Sequence, residues 1–264
     1  MRTAVERRGS VLRIEIRRPE RRNALDVPEF RELRQALERA HLDSTVRAVI
    51  LTGQGEAFCA GGDVAAMAAA SQEGRLPQFF HELTGEQELS VRELVSMPKP
   101  VVAALPGVAA GGGFALALAA DWRIGATGAF LLPAFPGLGA VPDGGLTYFL
   151  PHFLGVGLAQ EILFSNARIE SGRARELGLL HEIVPPGELE ARGWDRAQEL
   201  AEGPTFAYGW MKRLVVSAFG GSLDTQMMLE RRGAVEAAAR PELAEGIEAF
   251  RAKRRARFHP EPTG

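Results

Sequence analysis

The chain has 264 residues, of which 46% are hydrophobic and 24% are charged, and its formal net charge is −2. This length and composition allow a sizeable core, in one large domain or in one domain with a smaller appendage. The near-neutral charge gives no reason to expect nucleic acid or a membrane surface as a partner. A single cysteine, Cys59, excludes a disulfide framework, and no Cys/His spacing indicates a metal site. The N-terminal segment lacks the apolar stretch of a secretory signal, so we expect a cytoplasmic protein.

The first third of the chain predicts strands that alternate with helices. Residues 11–16 alternate between apolar and charged side chains, which is typical of a half-buried strand. Asp26 begins a helix, and Glu29 three residues later completes a capping box. Residues 46–52 form a continuous apolar run, which predicts a strand covered on both faces. A small-residue turn, a helix and a long, partly helical segment are predicted next, at 56–63, 64–70 and 71–97.

The longest uncharged stretch, residues 100–120, predicts the centre of the fold. Pro106 and several glycines exclude a single membrane helix. We expect a buried strand over 101–105, a turn, and an Ala/Leu helix from about 113 to 120. This helix is apolar on every side, so it belongs in the core. Glycines at its start leave the first backbone N–H groups open to an anion.

The second half of the chain predicts short strands, a loop and then helices alone. Residues 133–145 form a loop rich in glycine and proline. The remaining elements are predicted as strands at 122–124, 130–132 and 181–184, and helices at 146–153, at 157–164 and after Ser171. From about residue 187 the pattern is only helical, so we expect an α/β core over 1–200 and a helical domain over 201–264. No internal sequence repeat is present.

Three motifs carry a family resemblance: AFCAGGD at 57–63, PKPVVAALPGVAAGGG at 98–113 and VPDGGLTYFLPHFLG at 141–155. In this order and spacing they resemble the crotonase superfamily, the enoyl-CoA hydratases and isomerases. The resemblance implies an α/β spiral of repeated ββα units. It also implies C-terminal helices that assemble the chain into homotrimers, often paired as hexamers. The implied substrate is an acyl-CoA, and no cofactor is implied beyond its coenzyme A moiety.

The resemblance also implies where the substrate binds. The thioester oxygen would accept hydrogen bonds from the backbone N–H groups of Ala60 and Gly112. Removal of a proton beside the thioester places charge on this oxygen, and preorganised donors stabilise that charge. The implied substrate-binding set is Arg22, Ala24, Ala60, Gly61, Gly62, Asp63, Val64, Gly111, Gly112 and Phe258. The alternative role of Asp63 is that of a helix N-cap. The alternative for Arg22 and for the basic segment before Phe258 is that they are solvent-exposed and do not bind coenzyme A.

The acid/base groups separate the reactions of the family. Its hydratases hold a water molecule between two glutamates, and the matching positions here are Ala115 and Ala134. Asp143 matches the single acid/base of the Δ3,Δ2-enoyl-CoA isomerases and of the epoxide isomerase of phenylacetyl-CoA breakdown. One carboxylate is enough to move a proton between two carbons, so we predict an isomerase with Asp143 as its catalytic group. The alternative role of Asp143 is to cap the helix that follows.

Other functions stay open at this point. The same scaffold supports a hydratase, hydrolase, dehalogenase or decarboxylase, and it also supports a non-catalytic acyl-CoA binder or an RNA-associating protein. The charge and the lack of interleaved aromatic and basic residues argue against RNA. Cys59 is expected to be a small buried residue, because no histidine is placed to activate it. Apolar residues after 200 predict faces buried between subunits: Phe206, Trp210, Leu214, Met227, Met228 and Leu229.

Overall fold

A computed structural model describes residues 2–259. Within this range the strands are β1 (Thr3–Arg8), β2 (Val11–Ile16), β3 (Ala48–Gly53), β4 (Ala57–Cys59), β5 (Val101–Leu105), β6 (Val108–Ala110), β7 (Trp122–Ala126), β8 (Phe130–Leu132), β9 (Ile169–Glu170) and β10 (Glu182–Val184). The helices are α1 (Val27–Leu42), α2 (Val64–Gln72), α3 (Leu76–Ser96), α4 (Gly112–Ala119), α5 (Leu146–Leu154), α6 (Val156–Ser165), α7 (Ser171–Glu176), α8 (Leu189–Ala201), α9 (Thr205–Ser217), α10 (Leu223–Ala238) and α11 (Pro241–Arg251).

The strands form two sheets between which the chain alternates. The larger sheet has the order β1-β2-β3-β5-β7-β10 and is parallel apart from the β1–β2 pair. The smaller sheet has the order β4-β6-β8-β9, with β9 antiparallel to β8. In the pairs β3–β4, β5–β6 and β7–β8, the first strand lies in the larger sheet and the second in the smaller one. Helices follow these pairs, which confirms the predicted spiral of ββα units.

The core lies on both faces of the larger sheet. All five residues of β5 are buried, because α8 packs across one face and α1, α3 and α4 belong to the cluster on the other. All eight residues of α4 are buried as well. The predicted central helix is therefore confirmed, one residue earlier than expected. The predicted capping box at the start of α1 is also present, with the Asp26 N–H donating to Glu29.

Several elements differ from the predictions. The strand expected over 46–52 begins at Ala48, because the preceding Arg47 N–H donates to the Ser10 carbonyl outside the sheet. Residues 76–96 form one continuous helix. The sequence pattern did not indicate β1, β4, β6 or β9, and the last three are only two or three residues long. Strands this short are too small to show a period of their own.

The C-terminal helices α9, α10 and α11 expose many apolar side chains. Met228 is 73% exposed and Phe250 is 86% exposed. Trp210 differs from the expectation: it is buried in its own chain, against Gly233 of α10, and is not available to a neighbour. The boundary at residue 200 and the oligomeric state stay predictions. In the described part of the chain, no helix is long and apolar enough to cross a membrane.

Candidate active site

The two small-residue turns singled out in the sequence touch each other. Gly61 follows β4 and has φ +90°, and Gly112 is the first residue of α4. A Cβ atom on Gly61 would lie 3.3 Å from the Gly112 nitrogen and 2.8 Å from the Ala110 carbonyl oxygen. Any side chain at position 61 would therefore push the turns apart. Only glycine combines the left-handed backbone with this close approach.

The backbone donors at these turns correct one prediction. The Ala60 N–H donates to the Arg22 carbonyl at 3.0 Å, so it is engaged in pairing the turn with an upstream segment. Among residues 2–259, by contrast, the Gly62 and Gly112 N–H groups donate to no acceptor of the protein. Gly112 is free because the first N–H groups of a helix have no partner within it. The Ala60 prediction is thus wrong, and Gly62 is the free donor in this turn.

Asp143 lies where two cavities meet, in the loop before α5. Asp143 lines both a cavity of about 720 Å³ and a cavity of about 700 Å³. Burial raises the pKa of the Asp143 carboxyl above its ordinary value, against the opposing effect of a hydrogen bond from Gln87. The N-cap of α5 is Gly145, and no side chain of the described residues caps this helix by a hydrogen bond. The capping role considered for Asp143 is therefore not observed.

Ala115 lies beside the loop that carries Asp143, and Ala134 lies beside the turn before α4. A Cβ atom on Gly144, next to Asp143, would lie 3.0 Å from the Ala115 Cβ. A Cβ atom on Gly111 would lie 4.0 Å from the Ala134 Cβ. The two positions matched to the hydratase glutamates thus carry methyl groups, one next to the Asp143 loop and the other next to the turn before α4. Within residues 2–259, the one other carboxylate that lines either cavity of Asp143 is Glu88, in the 700 Å³ cavity. Its side chain is 60% exposed and is paired with Arg92 at 2.7 Å.

Gln87 is the site residue that the sequence analysis missed. It lies on α3 and is 2% exposed, and its Nε2 donates to Asp143 Oδ1 at 2.8 Å. A Cβ atom on Gly112 would lie 2.6 Å from Gln87 Oε1, so the carboxamide also reaches the second turn. The available signal is its position within the buried stripe of α3, four residues after Leu83 and four before Val91. A glutamine on an apolar stripe needs a buried polar partner.

The residues beside the first turn divide into engaged and accessible groups. The Asp63 carboxylate accepts from Ala65 N–H at 2.9 Å and pairs with Arg18 at 2.7 Å, so the N-cap role is observed. The carbonyl of Ala24 accepts from Arg18, which ties the same segment down. Val64 is 53% exposed and lines the 720 Å³ cavity. It is the member of this group best placed to contact a ligand.

Arg22 and Phe258 lie outside the two Asp143 cavities. Arg22 has φ +50° and lines a separate cavity together with Arg168. Phe258 packs against Gly246 of α11, and a Cβ atom there would lie 3.6 Å from its ring. The single chain therefore does not bring either residue to Asp143. Their predicted contacts with coenzyme A remain predictions.

Cys59 is a packed core residue. It is fully buried, burial raises the pKa of its thiol to about 12, and the Gly61 N–H donates to its Sγ at 3.4 Å. At neutral pH it is a thiol, which is a poor nucleophile. Among the residues that the structure describes, no group of three or more potential ligands could hold a metal ion.

Comparisons with known proteins identify the family of this chain. Residues 6–261 match the model of the family described as enoyl-CoA hydratase/isomerase. The chain belongs to this family. Members include the 1,2-epoxyphenylacetyl-CoA isomerase of Escherichia coli (strain K12), which is 35% identical over 94% of this chain and 94% of its own length. A probable enoyl-CoA hydratase of Rhodobacter capsulatus is 37% identical over 93% of each chain.

Family members of known structure have the same fold. An enoyl-CoA hydratase from Polaromonas sp. JS666 superposes with a TM-score of 0.92 at 31% identity, covering 97% of this chain and 99% of the other. The protein is thus an acyl-CoA enzyme of the enoyl-CoA hydratase/isomerase family with the crotonase fold. Because its relatives carry both hydratase and isomerase names, the family alone does not choose the reaction.

Proposed function

We propose that the protein is an enoyl-CoA isomerase in which Asp143 is the acid/base. The observation that carries the proposal is the placement of carboxylates. Asp143 lines both cavities, whereas the two positions that match the hydratase glutamates are Ala115 and Ala134. The Gly62 and Gly112 N–H groups are the proposed donors to the thioester oxygen, in place of the Ala60–Gly112 pair expected from the sequence.

The proposed reaction moves one proton. The Asp143 carboxylate takes a proton from C2 of a 3-enoyl-CoA, and the electron pair of that C–H bond moves towards the thioester carbonyl. The oxygen becomes an enolate, stabilised by the two N–H donors. The carboxylic acid then gives the proton to C4, and the double bond settles between C2 and C3. The substrate is neither oxidised nor reduced, so we propose no cofactor beyond its coenzyme A moiety.

The raised pKa of Asp143 suits both halves of this reaction. A carboxyl group acts as a base when ionised and as an acid when protonated, and it does both best when its pKa approaches the working pH. Burial shifts the pKa of Asp143 in that direction. Asp143 lines both cavities, so we propose that the acyl chain runs beside this carboxyl group, with C2 and C4 both within its reach.

The test is a comparison of two reactions catalysed by the same enzyme preparation. We expect rapid conversion of a 3-enoyl-CoA into its 2-enoyl isomer, and hydration of crotonyl-CoA far below the about 10 s⁻¹ typical of enzymes. The isomer is measured by the absorbance of the conjugated thioester, and the hydrated product by chromatography. 1,2-Epoxyphenylacetyl-CoA belongs in the same panel because of the relative named for it. Hydration at an ordinary enzymatic rate, or tight binding of every acyl-CoA without turnover, would overturn the proposal.

A further inference from the structure

Gln87 connects the proposed acid/base with the proposed oxyanion site. Its side chain is almost completely buried, and Nε2 donates to Asp143 Oδ1 at 2.8 Å. An ionised carboxylate only accepts hydrogen bonds, so the NH₂ end of the carboxamide must face Asp143. The oxygen end then faces Gly112, where a Cβ atom would lie 2.6 Å from Oε1. The orientation of the amide is thus set by its chemistry.

This contact makes the two oxygens of Asp143 unequal. Oδ1 accepts from Gln87, whereas no other residue within 2–259 donates to Oδ2; the one further donor to this carboxyl is the backbone N–H of Asp143 itself. A proton placed on Oδ1 would face the Gln87 NH₂ group and break the hydrogen bond. A proton placed on Oδ2 preserves it. Protonation is therefore directed to Oδ2.

We infer that Gln87 is a positioning residue that holds the Asp143 carboxylate and makes Oδ2 the atom that takes up and returns the proton. The inference rests on the proposed isomerase function for its catalytic meaning, but the hydrogen bond acts on Asp143 whether or not a substrate is present. Gln87 has no need to touch the substrate to act in this way. Its effect is on which oxygen of Asp143 reacts and on the pH at which that oxygen loses its proton.

Gln87 also occupies space beside Ala115. A Cβ atom on Gly144 would clash with Gln87 Nε2 and would lie 3.0 Å from the Ala115 Cβ, so the carboxamide and the methyl group border the same point. A long acidic side chain at position 115 would compete with Gln87 for this space. The buried glutamine and the absence of a carboxylate at 115 are therefore linked features of one site.

The other groups around Asp143 leave Gln87 as its main polar contact. Glu88, Arg92 and Tyr148 are the titratable residues that line the shared cavities with it, and Glu88 and Arg92 pair with each other at 2.7 Å. Helix α4, whose Ala115 lies beside the Asp143 loop, contains no charged residue. A change at Gln87 should thus appear directly in the titration of Asp143.

The experiment compares Gln87→Met, which keeps the length of the side chain but removes the donor, with Gln87→Glu. Ser90→Ala on the same helix is the matched control, because Ser90 is buried and, within residues 2–259, its hydroxyl bonds only to the Glu86 carbonyl. Asp143 is titrated by ¹³C NMR of aspartate-labelled protein, with Asp143→Asn identifying its signal. The pH dependence of kcat/KM for 3-enoyl-CoA isomerisation is measured alongside.

We expect Asp143 to titrate at a higher pH in Gln87→Met than in the wild type, and higher again in Gln87→Glu, where a second carboxyl group stands beside it. We expect kcat to fall by roughly 10²-fold in Gln87→Met with little change in KM, since the base is misplaced rather than removed. Ser90→Ala should leave the titration and kcat unchanged.

An unchanged titration of Asp143 in Gln87→Met would overturn the inference, as would an equal shift in Ser90→Ala. If Gln87→Met does not fold, the isosteric Gln87→Glu decides by the same titration. A shifted titration in a protein whose wild type does not isomerise 3-enoyl-CoA would refute the proposed function while supporting the contact between Gln87 and Asp143. The two failures are thus distinguishable.

Discussion

Replacing Asp143 with asparagine removes the proposed base while changing little else. Asparagine has the same shape, and its Oδ1 can still accept the hydrogen bond from Gln87 Nε2. The proposed oxyanion donors are backbone groups on other elements, so thioester binding should persist. A general base contributes about 10²–10⁴ in rate, which corresponds to about 2.7–5.4 kcal/mol in the barrier. We expect kcat to fall by this factor with little change in acyl-CoA affinity.

The same substitution should stabilise the fold at neutral pH. Burial raises the pKa of Asp143 in the folded protein, so ionising this group opposes folding. This cost is absent at low pH and grows as the pH rises through the folded-state pKa. Because asparagine does not ionise, the variant should unfold at a higher temperature than the wild type at pH 7. The difference should shrink in acid, as measured by circular dichroism melting.

The assay follows isomerisation of a 3-enoyl-CoA across a range of pH, with affinity for a saturated acyl-CoA measured by calorimetry. Wild-type activity should fall as the pH drops through the pKa of Asp143, at a higher pH than for an exposed aspartate. Glu88→Gln is the matched control, because this carboxylate lines the same cavity but is exposed and paired with Arg92. Full activity of Asp143→Asn, or equal losses in both variants, would refute the assignment.

Three further predictions concern the turn, a half-buried histidine and the assembly. Gly61→Ala should lower the free energy of unfolding, measured by urea denaturation, by about 1–3 kcal/mol. The control is Gly9→Ala, because Gly9 also has a positive φ but has open space around it, and its loss should be smaller. Equal losses in the two variants would contradict the role of the close approach. Burial and nearby arginines lower the pKa of His181 to about 4. The contribution of neutral His181 to the free energy of unfolding should therefore be fully present above pH 6.5 and be lost as the pH falls towards 4. In His181→Asn the free energy of unfolding should decline less steeply over this range. Light scattering should report a trimer or hexamer, and a stable monomer at micromolar concentration would count against the exposed apolar faces as subunit interfaces.

The parts of the fold that were predictable are those determined by local chemistry. The uncharged stretch around β5 and α4 can only be buried, and both elements were placed within a residue of their observed bounds. The capping box of Asp26 and Glu29 is likewise a short-range pattern. The strand β6 has three residues, and it exists because β4 and β8 pair with it from distant parts of the chain. No periodicity within three residues could reveal that pairing.

The site shows the same division. Ala115, Ala134 and Asp143 could be placed by motif, and the structure brings Ala115 next to the Asp143 loop and Ala134 next to the turn before α4. The free donor could not be chosen in this way, because neighbouring amides in a turn point in different directions. Ala60 is engaged with Arg22 while Gly62 is not, and that depends on pairing with a segment far away in sequence. Gln87 is linked to Asp143 across 56 residues, which no local pattern records.

The free N–H groups of Gly62 and Gly112 have a consequence for how this protein is studied. If they bind the thioester oxygen, the main hydrogen bonds to the substrate come from the backbone and not from any side chain. Alanine scanning does not measure such hydrogen bonds, because alanine keeps the backbone N–H. At these glycines it would report only clashes with neighbours such as Leu83 and Gln87. Replacing the single N–H by an ester oxygen, through chemical synthesis or an α-hydroxy acid, removes the donor and leaves the shape. The contribution of each N–H donor to substrate binding could then be measured separately.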